Sequence, residues 1–131
     1  MPSFTGIAHL TLSVRDRDAS VRFYRDVLGF QEFQTRDCGE WRRTMCRHRS
    51  GVVLGLIEHK DHFNAVFDHR RVGVDHLAFT VSSSAELDAW EERLTELDID
   101  HSPVVHAEQG RALTFADPDG FQLELYCEDS A

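Results

Sequence analysis

Apolar and polar positions along the chain change rhythm in the same order twice. A strand-like stretch ending at Val14 gives way to a helical spacing, Ala19, Phe23 and Val27 at i, i+4 and i+8, flanked by Tyr24 and Leu28. Asp16 or Asp18 suits the N-cap, and Gly29 suits the left-handed residue that ends the helix. Three short strand-like stretches follow, at residues 30–36, 41–47 and 52–59. The order then restarts: a strand ending at Val81, and a helix opened by Ser83 and Glu86 at the spacing of a capping box. Leu87, Trp90, Leu94 and Leu97 lie on one face of that helix, and strands follow at roughly 102–106, 111–115 and 121–127.

Sequence identity reinforces the rhythm. Gly6-Ile7-Ala8-His9-Leu10 is echoed by Gly73-Val74-Asp75-His76-Leu77, an offset of 67 residues. Residues 51–57 align with 120–126 at an offset of 69, so one short loop insertion separates the copies. The reading is a single α+β domain over residues 1–131 made of two βαβββ modules, about 5–59 and 73–127. The linker, 60–72, is either a lid or one helical turn that docks Phe63, Val66 and Phe67 on a sheet.

Composition fits one globular domain: 131 residues, 41% hydrophobic and 28% charged. Fourteen Lys and Arg against 23 Asp and Glu give a net charge of −9, which repels nucleic acid and anionic lipid and excludes both as expected partners. Cys38, Cys46 and Cys127 form no C-x-x-C pair, so reduced thiols are expected. Residues 1–15 lack the basic and apolar regions of a secretory signal, and a cytoplasmic location is expected.

The eight histidines change the picture because two of them, His9 and His76, are repeat-equivalent. Pseudo-symmetry would put both on one face. Glu124 alternates with Leu123 and Leu125 and so points to the face the leucines do not. On an interior face a lone carboxylate needs a partner or a cation; on an edge strand it is merely solvated, and alternation alone leaves both readings open. Two imidazoles and a carboxylate with open positions form the facial triad of Fe(II) sites, and related sets hold Mn(II), Ni(II) or Zn(II).

The segments G-I-A-H-L-T-L-S-V-R-D, F-Y-R-D-V-L-G-F, D-H-L-A-F-T-V and F-A-D-P-D-G-F-Q-L-E-L-Y resemble the vicinal oxygen chelate superfamily of glyoxalases, bleomycin resistance proteins and extradiol dioxygenases, across residues 5–127. The resemblance implies a curled mixed-sheet cup around one divalent metal, with His9, His76 and Glu124 as ligands, a small substrate that chelates through vicinal oxygens, and a homodimer. The fourth ligand position of glyoxalase I falls on Gly55, which departs from the lactoylglutathione lyase pattern. His59 shares the parity of position 55 but lies about 13 Å farther along the strand. Where ring-cleaving dioxygenases carry a tyrosine, this chain has Thr114 and Phe115.

Beyond the ligands, Glu124, His59 and His62 are the catalytic candidates, since imidazole titrates near neutrality; His48 and His106 are weaker ones. Arg43, Arg47 and Thr114 are the substrate-binding candidates, the arginines standing with Arg42 on the third strand as possible partners of an anionic group. A metal-dependent lyase or dioxygenase is the leading expectation. The alternatives are a metal-free, bleomycin-resistance-type protein whose acidic surface sequesters a cationic molecule, and a lactoylglutathione lyase.

Overall fold

A computed structural model describes residues 1–129 and contains the βαβββ order twice, as an α+β fold. The first compact unit, Met1–Ala65, holds β1 (Leu10–Ser13), α1 (Arg17–Asp26), β2 (Gln31–Asp37), β3 (Trp41–Arg47) and β4 (Val53–His59). The second, Val66–Ala131, holds β5 (His76–Thr80), α2 (Ser84–Glu96), β6 (Val105–Ala107), β7 (Gly110–Ala116) and β8 (Gln122–Glu128). Each unit forms one four-stranded sheet, in the orders β1-β4-β3-β2 and β5-β8-β7-β6. The first strand of each runs parallel beside the last, and the other pairings are antiparallel.

One helix covers one face of each sheet. In the first unit Leu54, Leu56, Thr44 and Cys46 are buried at 2% exposure or less on the α1 side. Asp16 caps α1 by accepting the Ala19 N–H at 3.1 Å, and Glu58 accepts the Arg17 N–H at 2.9 Å, placing a second carboxylate at the positive helix end. Of the expected α1 positions Tyr24, Val27 and Leu28 are buried, joined by Ser20 and Val21, while Ala19 and Phe23 are half-buried at the margin. Tyr24 is fully buried and edge-on to both Phe23 and Phe30. Gly29, at φ 83°, then turns the chain out, its N–H donating to the Arg25 carbonyl.

In the second unit Ser83 caps α2 as expected, accepting the Glu86 N–H at 3.1 Å. Leu87 and Leu94 are buried, but Leu97 is exposed, because the helix ends there and the chain reverses. The reversal is a Schellman closure: Ile99 N–H donates to Leu94 O and Asp98 N–H to Thr95 O, with Asp98 left-handed at φ 58°. The linker contains no helical turn. Phe63 and Val66 are exposed, and Phe67 alone docks, its ring edge-on to Phe121 at 5.1 Å and its N–H on the Asp119 carbonyl. All three cysteines are free, Cys46 and Cys127 buried and Cys38 exposed. No helix among the described residues is long and apolar enough to cross a membrane.

Asp98 carries a Cβ in a conformation that favours glycine. Asp98→Gly should therefore raise stability by about 0.5–1 kcal/mol, read as a rise in thermal midpoint. An unchanged or lower midpoint would mean that the aspartate side chain itself holds the turn.

Candidate functional site

The candidate residues are set by strand alternation on the faces turned away from the helices. In the first unit, Thr11, Gly55 and Met45 form one row across β1, β4 and β3. The next row is Ser13, Ile57, Arg43 and Arg36. Arg47 pairs with Val53, level with the start of β1, just before which stands His9. In the second unit the rows are His76 with Gln122 and Ala116, then Ala78 with Glu124 and Thr114, then Thr80 with Tyr126 and Ala112. Leu113, Leu123 and Leu125 take the opposite, buried face.

His76 and Glu124 are thus brought onto neighbouring strands and one face. Glu124 is not on an edge: β8 is bonded to β5 on one side and β7 on the other. Its carboxylate is half-buried and forms no hydrogen bond or ion pair among the described residues. His76 Nδ1 lies 2.7 Å from Oδ1 of Asp75, an acceptor, so Nδ1 is the donor nitrogen of the ring and Nε2 is the one without this partner. Gln122 Nε2 donates to the Asp75 carbonyl at 3.3 Å. Asp75 was not singled out by its own chemistry in the sequence; the only available signal was its adjacency to His76.

His9 holds the equivalent position in the first unit. Among the described residues no three His, Cys, Asp or Glu side chains are gathered closely enough to hold a metal. Within the second unit the donors suit a divalent ion: one imidazole oriented by a carboxylate and one unpaired carboxylate on the same face. Tyr126, on the Glu124 face, has its phenol pushed up by partial burial and then by Glu128, Asp129 and Glu124. It stays a protonated donor at neutral pH.

Gly55 is the register equivalent of Glu124, opposite Thr11 and Met45 as Glu124 is opposite Ala78 and Thr114. A Cβ there would meet Thr11 Oγ1 at 2.7 Å and Met45 Sδ at 2.9 Å. In the first unit, neighbouring side chains crowd the place that Glu124 takes in the second.

The other candidates fall elsewhere. His59 lies six residues along β4 from the level of His9, about 20 Å at ordinary strand rise, and His62 follows it, with Nδ1 donating to the His59 carbonyl at 2.8 Å. Neither is brought to His9. Glu58 points to the α1 side, where Arg42 Nε is 3.6 Å from its Oε2. His48 packs on Phe30 and accepts or donates with Ser50 at the β3–β4 turn, and burial followed by Arg49 pushes its pKa down. His106 is exposed on the edge strand β6. Arg43 and Arg47 share the Gly55 face, and sequence reading missed that Arg36 joins them.

Residues 6–125 match the Glyoxalase/Bleomycin resistance protein/Dioxygenase superfamily. The chain is 29% identical over 122 residues to the metallothiol transferase FosB of Staphylococcus saprophyticus, covering 92% of this chain and 75% of that protein. Among solved structures it is similar to a glyoxylase/bleomycin resistance protein/dioxygenase domain from Frankia sp. EAN1pec, with 32% identity, a TM-score of 0.91, and coverage of 98% and 96% of the two chains. It shares its fold with a mutant of the fosfomycin resistance protein FosX of Listeria monocytogenes complexed with Mn(II) and a dihydroxypropylphosphonic acid, at 21% identity, a TM-score of 0.70, and coverage of 95% and 90%.

The closed position predicts a stability effect. Gly55→Ala should cost about 1–3 kcal/mol through overpacking, measured by denaturant unfolding, and Thr11→Ala should recover part of it by vacating the 2.7 Å contact. A neutral Gly55→Ala would show that position 55 has room for a side chain after all.

Proposed function

Because the chain belongs to the Glyoxalase/Bleomycin resistance protein/Dioxygenase superfamily, we propose that it is a metal-dependent enzyme that holds one divalent ion through His9, His76 and Glu124 and acts on a small substrate presenting vicinal oxygens to that ion. The observation that carries the reading is the Asp75–His76 hydrogen bond of 2.7 Å, which commits Nδ1 and leaves Nε2 as a ligand on the face that carries the unpaired Glu124. The likeness to a metallothiol transferase and to a fold crystallised with Mn(II) supports a divalent metal. Mn(II), Fe(II), Ni(II) and Zn(II) are the ions to compare.

Such an ion supplies Lewis acidity toward the bound oxygens. The chain's own groups do the rest. Asp75 fixes the His76 ring. Thr114, across from Glu124, and Tyr126, two residues along β8, offer hydroxyl donors to substrate oxygens. The closed position at Gly55 removes the first-unit proton-transfer group that a lactoylglutathione lyase uses, so transfer or oxygen chemistry at a three-ligand ion is the reading we favour. Arginines on the first-unit face disfavour sequestration of a cationic drug.

Protein stripped of metal and titrated with each ion should bind one equivalent per chain, followed by elemental analysis and, for Mn(II), by electron paramagnetic resonance. His76→Ala and Glu124→Gln should abolish that binding, and Asp75→Asn should weaken it by about 10–100-fold. Failure of all four ions to bind would overturn the reading.

The chain also fits a homodimer. Ile7 and Val74, repeat-equivalent residues ahead of β1 and β5, are exposed, as are Phe4 and Val72 beside them. A second copy would cover these apolar side chains and the sheet edges. Light scattering should give twice 15.0 kDa. Ile7→Asp with Val74→Asp should shift the population to monomer, and a wild-type monomer at tens of micromolar would refute the assembly.

A further inference from the structure

In the first unit, three guanidinium groups stand on the face away from α1 without a carboxylate. Arg36 and Arg43 are directly opposite across β2 and β3, and both lie over the Trp41 ring, at 5.7 and 5.2 Å from its centroid. Arg47 lies over Phe33 at 4.3 Å, the ring brought to that face by the bulge between Glu32 and Gln34. None of the three makes an ion pair or a side-chain hydrogen bond among the described residues, and Arg43 Nε is buried with no partner.

Arg43 is the half-buried member of the three, and Arg36 and Arg47 are exposed. Like charges directly opposite on neighbouring strands repel, and 23 acidic residues were available to neutralise them. The α1 face of the same strands shows the ordinary solution: Arg42 contacts Asp18 and Glu58, and Arg17 contacts Asp37. In the second unit the positions equivalent to Arg43 and Arg47 are Ala112 and Ala116. The cations are therefore confined to one face of one unit. Aromatic rings hold the guanidinium planes while leaving their N–H donors free, which suits bidentate capture of an oxyanion.

We propose that Arg36 and Arg43, mounted on Trp41, form a subsite for a carboxylate, phosphate or phosphonate group of the substrate, with Arg47 on Phe33 as a second positive arm. As a statement about substrate class it rests on the metal-dependent reading above; the anion binding itself does not. Arg47 is level with the His9 end of β4, and Arg43 lies four residues farther, about 13 Å along the strands. The substrate is then an elongated acid, whose anionic end is separate from the oxygens that chelate the ion.

The test uses full-length protein freed of metal with a chelator and then freed of the chelator by gel filtration. Calorimetric titration with inorganic phosphate, at an ionic strength held constant with chloride, should show saturable binding. Arg43→Gln and Arg36→Gln should each weaken it at least tenfold, while Arg22→Gln, a charge control on the exposed side of α1, should leave it unchanged. Arg43→Gln should keep the wild-type circular dichroism and bind metal as wild type does. Non-saturable binding by the wild type, or wild-type phosphate affinity in both variants, would overturn the subsite. Loss of metal binding with phosphate binding intact would instead overturn the metal reading and leave the subsite standing.

Discussion

Each unit depends on its first strand lying parallel beside its last. That pairing makes β4 and β8 central, hydrogen-bonded on both sides, and so fixes their register twice over. With Leu54 and Leu56 buried under one helix and Leu123 and Leu125 on the helix face of the other sheet, the residues between them have no choice of side. Gly55 and Glu124 must face away. A slip of one residue in β8 would bury the carboxylate among leucines and expose the leucines, so the cost of burying apolar surface incorrectly is what holds Glu124 in place.

On this shared frame the two units have diverged by exchanging volume between neighbours. In the first, Thr11 and Met45 crowd position 55, and a Cβ there would require those side chains to shift. In the second, the same two places are Ala78 and Thr114, both smaller, and a glutamate occupies the space between them. The presence of a carboxylate in one unit and its absence in the other is therefore a packing decision involving three residues. Replacing Gly55 alone would not seat a carboxylate there without making room at Thr11 and Met45.

Much of this was legible because it is local or periodic. The repeat, the Asp16 and Ser83 caps and the alternation that aims Glu124 are all encoded within a few residues. So is the turn at Asp117, whose carboxylate accepts the Asp119 and Phe121 N–H groups while Gly120 takes φ 80°. What was missed required tertiary contacts. The linker took no helical turn, and a backbone bond to Asp119 and one ring on Phe121 anchor it as an irregular strap. Arg36 could not be grouped with Arg43 before the β2–β3 register and its bulge were known. His59 and His62 were candidates on imidazole chemistry alone, and only the register shows how far along β4 they lie from the level of His9.

Each unit carries, on the face turned from its helix, charge that its own side chains do not satisfy. One face carries an unpaired carboxylate with an oriented imidazole, and the other carries guanidinium groups with no acid. Glu124 and Arg43 each carry a small standing cost, since half-buried charge is more stable when compensated. Stability alone would remove both, by pairing Glu124 with a cation from the chain or by placing one of 23 acidic residues opposite Arg43. A cation on the first face and an anion on the second would relieve both costs at once.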